Sequence, residues 1–247
     1  MKRTLLTAAF AGLMTLPAVA LDIEAMNAAE RAAFRAEVRA YLLENPEVLM
    51  EAIDVLEARE ANSQAETDAA LVKANYDALV RDGHSWIGGN PDGDITIVEF
   101  LDYRCGFCKR AFPEVEELVS SDGNIRIIVK EFPILGPQSD LASRFAIATK
   151  LTAGDDAYKA VHDALMGFRG PVSEATLARL AADQSLDGEA IMAEMQSSEI
   201  DDIITQNREL ARAMQITGTP TFVIGGQMLR GFLPLEGMRE LVNEERG

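Results

Sequence analysis

Apolar and polar positions divide the chain into three kinds of pattern. From about Asn27 to Arg81 the period is helical: Phe34, Val38, Tyr41 and Leu42 fall on one face, and Val48, Leu49, Ala52, Ile53 and Leu56 continue a stripe after Asn45-Pro46. Asn-Pro reads as a cap and first-turn proline that restart the helix in a new direction. From Glu57 to Asp68 the large apolar side chains vanish. Two short apolar helices followed by a polar helical connector bury little by themselves. The pattern therefore predicts an oligomerisation element on a stalk; the plainer reading is that these helices fold back onto their own chain.

The second pattern is that of buried strands. Ile95 to Leu101 is an almost unbroken apolar run, and Ile125 to Phe132 is another, with a helix-length segment between them. That order predicts a parallel βαβ unit. The turn-rich stretch His84 to Asp94 marks a boundary, with room for a short strand at Trp86 and Ile87. From Pro133 to Ala213 the third pattern takes over, helix after helix opened by Ser139-Asp140, Asp155-Asp156, Ser173-Glu174, Asp187-Gly188 and Ser198. Strand signals return at Thr221 to Ile224 and Gln227 to Arg230 around Gly225-Gly226, before a last helix from Pro234. The fold class is α/β, with a helical insertion over about 137–214.

At the N-terminus, Lys2 and Arg3 precede an apolar core from Leu5 to Leu16 and the small-residue pattern Ala18-Val19-Ala20. This predicts a secretory signal over 1–20, cleaved before Leu21. No later segment approaches a membrane span, so the mature product is expected to be soluble in an oxidising compartment, without membrane insertion. The chain carries a formal charge of −17. Nucleic acid is a poor partner for such a surface.

The only two cysteines, Cys105 and Cys108, stand where the first buried strand gives way to a helix. Positions i and i+3 of a first helical turn are neighbours, so the sulfurs can join and separate without moving the fold. The helix N-terminus favours a thiolate at the first of them, and Arg104, Lys109 and Arg110 are placed to add to that field. Cys105 is then the nucleophile and Cys108 the resolving partner. A structural staple and a metal site are the rival readings. A bridge inside one turn pins no distant elements, and the only other soft donors, His84 and His162, lie far apart in sequence. Glu99, six residues before Cys105, either faces solvent at a sheet edge or is buried, where it would shuttle protons for Cys108. Lys130 interrupts the second strand in the same way, and either meets Glu99 or snorkels to solvent. His84 and His162 read as surface or packing residues. Pro220, at the head of a strand and after a glycine, is a candidate for a cis bond.

Taken together, the acid six residues before the first cysteine, CxxC opening a helix that contains Pro113, the helical insertion and Gly218-Thr219-Pro220-Thr221-Phe222 before a GG hairpin resemble the thioredoxin fold of the DsbA-like thiol-disulfide oxidoreductases. The resemblance covers about Ser85 to Gly247. The segment Leu42-Leu43-Glu44-Asn45-Pro46-Glu47-Val48-Leu49 is similar to that of oligomeric ScsC-type members linked to copper tolerance. The resemblance implies a signal peptide over 1–20, an N-terminal oligomerisation and linker region over 21–81, and a catalytic domain over 82–247. It implies no cofactor beyond a redox-active Cys105–Cys108 disulfide, with Glu99 as the buried acid, Pro220 as the cis-proline beside the cysteines and Thr219 as the backbone contact to an extended substrate strand. The expected setting is the periplasm, with unfolded or misoxidised exported proteins as clients, a membrane redox partner and a homo-oligomer built through the N-terminal helices. The dipeptide Gly106-Phe107 lacks the histidine of the strongly oxidising type, which implies a milder potential and an isomerase or reductant. A dithiol oxidase is the runner-up, and a copper-binding or holdase-type protein using the thiols as ligands is the reading from another class.

Overall fold

The computed structural model describes residues 23–247, so the leader read from the sequence lies outside the described residues. The chain divides into two compact units between Arg59 and Glu60. In the first, α1 (Ala28–Glu44) opens with a capping box between Asn27 and Glu30; α2 (Glu47–Ala74) starts there after Asn45-Pro46 and continues into the second. No residue of α1 is buried. Phe34, Val38, Tyr41, Leu43 and Leu49 are all exposed, and Phe34, Val38, Leu42 and Leu49 line an open hollow of about 420 Å³.

The second unit begins earlier than the boundary at residue 82 expected from the sequence. The reason is apolar burial: Val72 at the end of α2, with Leu79 and Val80 of α3 (Tyr76–Val80), packs against Val98, Phe100, Ile128 and Val223 of the sheet. Buried Asp68, also on α2, pairs with Arg230. The polar connector is thus partly anchored to the α/β unit.

There follow β1 (Trp86–Gly89), β2 (Ile95–Leu101), α4 (Gly106–Asp122) and β3 (Ile125–Glu131). Next come α5 (Pro137–Ala153), α6 (Asp155–Gly167), α7 (Glu174–Asp183), α8 (Gly188–Glu194) and α9 (Ser198–Ala213). The chain closes with β4 (Thr221–Ile224), β5 (Gln227–Arg230) and α10 (Leu235–Arg246). The sheet order is β1-β3-β2-β4-β5, with β2 and β3 parallel and the other neighbours antiparallel. This is the thioredoxin arrangement, and α5 to α9 form the expected insertion. Helix α4 runs through Pro113 and stops at Gly123, whose φ of 72° suits a residue without Cβ.

Strand alternation gives the central pair two distinct faces. Ile97, Glu99 and Leu101 point with Ile127, Val129 and Glu131 into the core beneath α4, α5 and α6. Val98 and Phe100 point with Ile128 and Lys130 into the core formed with α3 and α9.

Candidate active site

The first strand ends at Leu101 and the chain turns through Asp102, a buried carboxylate. Its Oδ1 accepts the Arg104 N–H at 2.7 Å, and its Oδ2 accepts the N–H groups of Ile134 and Leu135 at 2.9 and 3.0 Å. Its carbonyl accepts the Cys105 N–H at 3.0 Å. One side chain therefore fixes both the entry to α4 and the loop after β3. Cys105 is the N-cap of α4, and Cys108 lies one turn in with no exposed surface. Both are free thiols.

Cys105 is 6% exposed, and its Sγ lies 3.1 Å from the Thr219 carbonyl oxygen. The Thr219–Pro220 peptide bond is cis, and Pro220 is buried at the same end of the sheet. The Cys105 thiol is lowered to about 5, first by the hydrogen bond it receives from Cys108. A hydrogen bond with the Thr219 side chain and the N–H groups of Cys108 and Phe107 add to this, while burial opposes it. Cys108 moves the other way and stays protonated, because it is the donor to Cys105, is buried and lies near Glu99. The two sulfurs are therefore chemically unlike before any client arrives.

Glu99 is buried on the face of β2 beneath α4, and its Oε1 has no hydrogen-bond partner. Burial raises its carboxyl to about 8, helped by the negative charges of Glu116, Glu131 and Cys105. A solvent-facing position is thereby excluded. Held protonated while Cys105 is a thiolate, it can release its proton once that charge is consumed, and the carboxylate so formed can accept one from Cys108. Gly106 is exposed with open space around it, and Phe107 is 53% exposed.

Two sequence expectations are corrected. Lys130 neither meets Glu99 nor snorkels: it stands opposite Phe100 in the register, on the other face of the sheet, with no exposed surface. There its Nζ donates to Asp82 Oδ2 at 2.5 Å and to the Ala78 carbonyl at 2.9 Å. Arg104 and Lys109 do not turn toward the sulfur. They donate to carbonyls of the insertion, at Gly170 for Arg104 and at Leu165 and Phe168 for Lys109.

A buried polar cluster escaped sequence reasoning. Glu131 accepts hydroxyl hydrogen bonds from Tyr103, Tyr158 and Ser143 at 2.7, 2.6 and 2.7 Å. Burial still raises it to about 7. Tyr103 gives its one proton to Glu131, so His162, 3.0 Å from the same hydroxyl, carries hydrogen on Nδ1. Burial lowers His162 to about 3, leaving it neutral and stacked with Trp86 and Tyr158. His84 lies against Asp82 at 2.9 Å. Among the described residues no group of three or more His, Cys, Asp or Glu is arranged to hold a metal ion. No helix among them is long and apolar enough to cross a membrane.

Comparison with known proteins agrees with this geometry. Residues 96–243 match the DSBA-like thioredoxin domain, and residues 30–62 match the N-terminal domain of the copper resistance protein ScsC. A thioredoxin-like oxidoreductase from Silicibacter pomeroyi is 38% identical, superposes with a TM-score of 0.65, and is aligned over 96% of its length and 69% of this chain. Salmonella enterica Typhimurium BcfH is 26% identical with a TM-score of 0.73, over 97% of its chain and 89% of this one. A curated relative, the Na(+)/H(+) antiporter NhaA 3 of Salinispora tropica, is 25% identical over 63% of this chain, which spans only 24% of that protein's length. Sequence match and geometry lead to one statement: the chain belongs to the family of DsbA-like thioredoxin-domain thiol-disulfide oxidoreductases.

Proposed function

We propose that the protein is an exported, periplasmic thiol-disulfide oxidoreductase that acts on unfolded or misoxidised proteins as an isomerase or reductant rather than as a primary oxidase. The observation that carries the reading is the asymmetry of the pair: an acidified Cys105 against the Thr219 carbonyl, and a buried, protonated Cys108 near an unpartnered acid. Cys105 thiolate attacks one sulfur of a client disulfide. The client S–S bond breaks, a mixed disulfide forms, and the second client sulfur leaves as a thiolate. That thiolate can attack another disulfide of the client, which isomerises it without net electron transfer. Otherwise Glu99, no longer facing a Cys105 thiolate once the mixed disulfide has formed, ionises and takes the Cys108 proton; Cys108 then attacks Cys105 Sγ, releasing reduced client and leaving the Cys105–Cys108 disulfide. A membrane redox partner then returns two electrons. Thr219 and Pro220 receive the client strand, and Gly106-Phe107 forms the rim beside it.

Two features favour isomerase or reductant. No histidine stands between the cysteines. A thiol at about 5 is less acidic than that of the strongest oxidant of the family, about 3.5, and more acidic than that of thioredoxin, about 7. The exposed Phe34, Val38, Tyr41, Leu43 and Leu49 supply the surface for a homo-oligomer. Insulin reduction and reactivation of scrambled ribonuclease, on the mature chain and on one truncated before Glu60, test the reading. Loss of reactivation with retention of reduction on truncation is expected. Equal reactivation by both would remove the role of the N-terminal helices, and no reduction by either would refute the function. A potential near −120 mV in a redox titration would favour a dithiol oxidase instead. The copper-resistance match over 30–62 favours thiol ligation of copper as a second reading. It predicts copper affinity that disappears only when both cysteines are replaced.

A further inference from the structure

Several cations of the helical insertion and the C-terminal helix have carboxylate partners. Arg144 pairs with Asp140 and Asp201, Lys159 with Glu116 and Asp163, and Arg246 with Asp94 and Asp122. With 40 acids against 23 bases this is the expected outcome. Arg104, Lys109 and Arg110, next to Cys105 in the sequence, and Arg169, whose charge reaches Lys109, have no carboxylate within ion-pair distance among the described residues.

Each of the first three is nevertheless held in place. Arg104 Nη1 donates to the Gly170 carbonyl at 2.6 Å, and Lys109 Nζ donates to the Leu165 carbonyl at 3.0 Å and to that of Phe168. The Arg110 guanidinium lies 4.1 Å over the ring of Phe107. Carbonyls and a ring face orient a charge without neutralising it. Arg104 and Lys109 thus hold the end of α6 and the loop after it, which carries Arg169; this arginine lines an open hollow of about 420 Å³ with Phe168 of the same loop and Thr176 and Arg179 of α7, and Asp183 is the one acid among its described lining residues. Burial, then the nearby charges of Arg104 and Arg169, push the Lys109 ammonium below its ordinary value, so the three charges share one field. These cations are not needed to acidify Cys105, whose leading causes are hydrogen bonds from Cys108, Thr219 and backbone N–H groups.

We infer that this cationic rim, Arg104, Lys109, Arg110, Arg169 and Arg179, docks an acidic segment of the client chain next to the cysteine that Cys105 attacks. The inference rests on the thiol-disulfide reading above. Guanidinium forks match carboxylates in pairs, and their charge counters at short range the repulsion between acidic clients and a molecule of net charge −17. Exposed Phe107 and half-buried Phe168 add apolar surface for the same segment.

The test uses full-length Cys108→Ser protein, in which the mixed disulfide accumulates. Three peptides of equal length carry one cysteine, activated as a disulfide with a small thiol and flanked by Glu, Gln or Lys. At low salt the rate of mixed-disulfide formation is expected to fall in the order Glu, Gln, Lys, by at least about threefold per step. The spread should close at about 0.5 M salt, where the Debye length is about 4 Å, and should narrow at low salt when Arg169→Gln and Arg179→Gln are added. Equal rates, a faster Lys peptide, or a Glu preference left undiminished by the arginine substitutions would overturn the inference. If the Gln peptide gave no mixed disulfide at all, the redox reading would fall and the docking surface with it.

Discussion

The β2–β3 pair buries ionisable side chains on both of its faces, and the two faces treat them differently. On the face toward α3 and α9, Lys130 meets Asp82 and a carbonyl, and Asp82 also accepts from Ser85 and lies against His84. His84, Lys130 and Ser85 hold the Asp82 carboxyl well below its usual range despite burial. On the face toward α4, Glu99 has an unpartnered oxygen, no cation opposite it and other acids nearby. A buried charge with its hydrogen bonds satisfied joins elements together; a buried acid left without a partner is held ready to exchange a proton. The same sheet thus serves stability on one side and chemistry on the other.

Substitutions on the two faces should separate these roles. Lys130→Met leaves Asp82 without its cation and is expected to cost about 3 kcal/mol in urea unfolding, while the thiol reactivity of the folded fraction stays that of the parent. A loss of thiol reactivity in the folded fraction would mean that the two faces are not independent. Because the Asp82 carboxyl is depressed in the folded state, the stability it brings is present above its ordinary value and is lost as pH falls below that value. Glu99→Gln should do the reverse: slow resolution of the mixed disulfide by Cys108 about a hundredfold in rapid-quench measurements, with little effect on the first attack by Cys105. Unchanged resolution would remove Glu99 from the proton transfer.

The same substitution has a stability signature of opposite sign. Glu99 is raised to about 8, so the folded chain binds the extra proton between about 4.5 and 8, and the parent loses stability as pH rises through that window. Glu99→Gln should therefore be more stable than the parent at pH 8, by at least about 1 kcal/mol or roughly 2–4 °C in Tm, and no more stable at pH 4. Tyr158→Phe, which removes one of three donors from Glu131, should cost about 1–2 kcal/mol without altering the resolving step.

Much of this was legible in the sequence because it is local. The strand runs, the helix starts and the CxxC spacing lie within a few residues of each other, and their order along the chain predicts the sheet and the insertion. Glu99 was legible as an acid inside an apolar run, although alternation alone left its face open. What the sequence hid depends on contacts between distant segments. Lys130 and Glu99 interrupt their strands alike, but the β2–β3 register pairs Glu99 with Val129 and turns Lys130 to the opposite face. The partners of Glu131 come from three separate elements, and Asp82 meets Lys130 across 48 positions. Nothing within a strand or helix marks such pairs. The domain boundary moved because Val72, Leu79 and Val80 are core residues inside a segment whose periodicity marks only a helix.

The acidity of one sulfur decides the chemistry of the pair. The rate of alkylation of Cys105, followed against pH in the reduced full-length protein, is expected to rise with a midpoint near 5, far below that of free cysteine at about 8.5. A midpoint at or above 8 would contradict the assignment of Cys105 as the attacking thiolate and the redox function built on it.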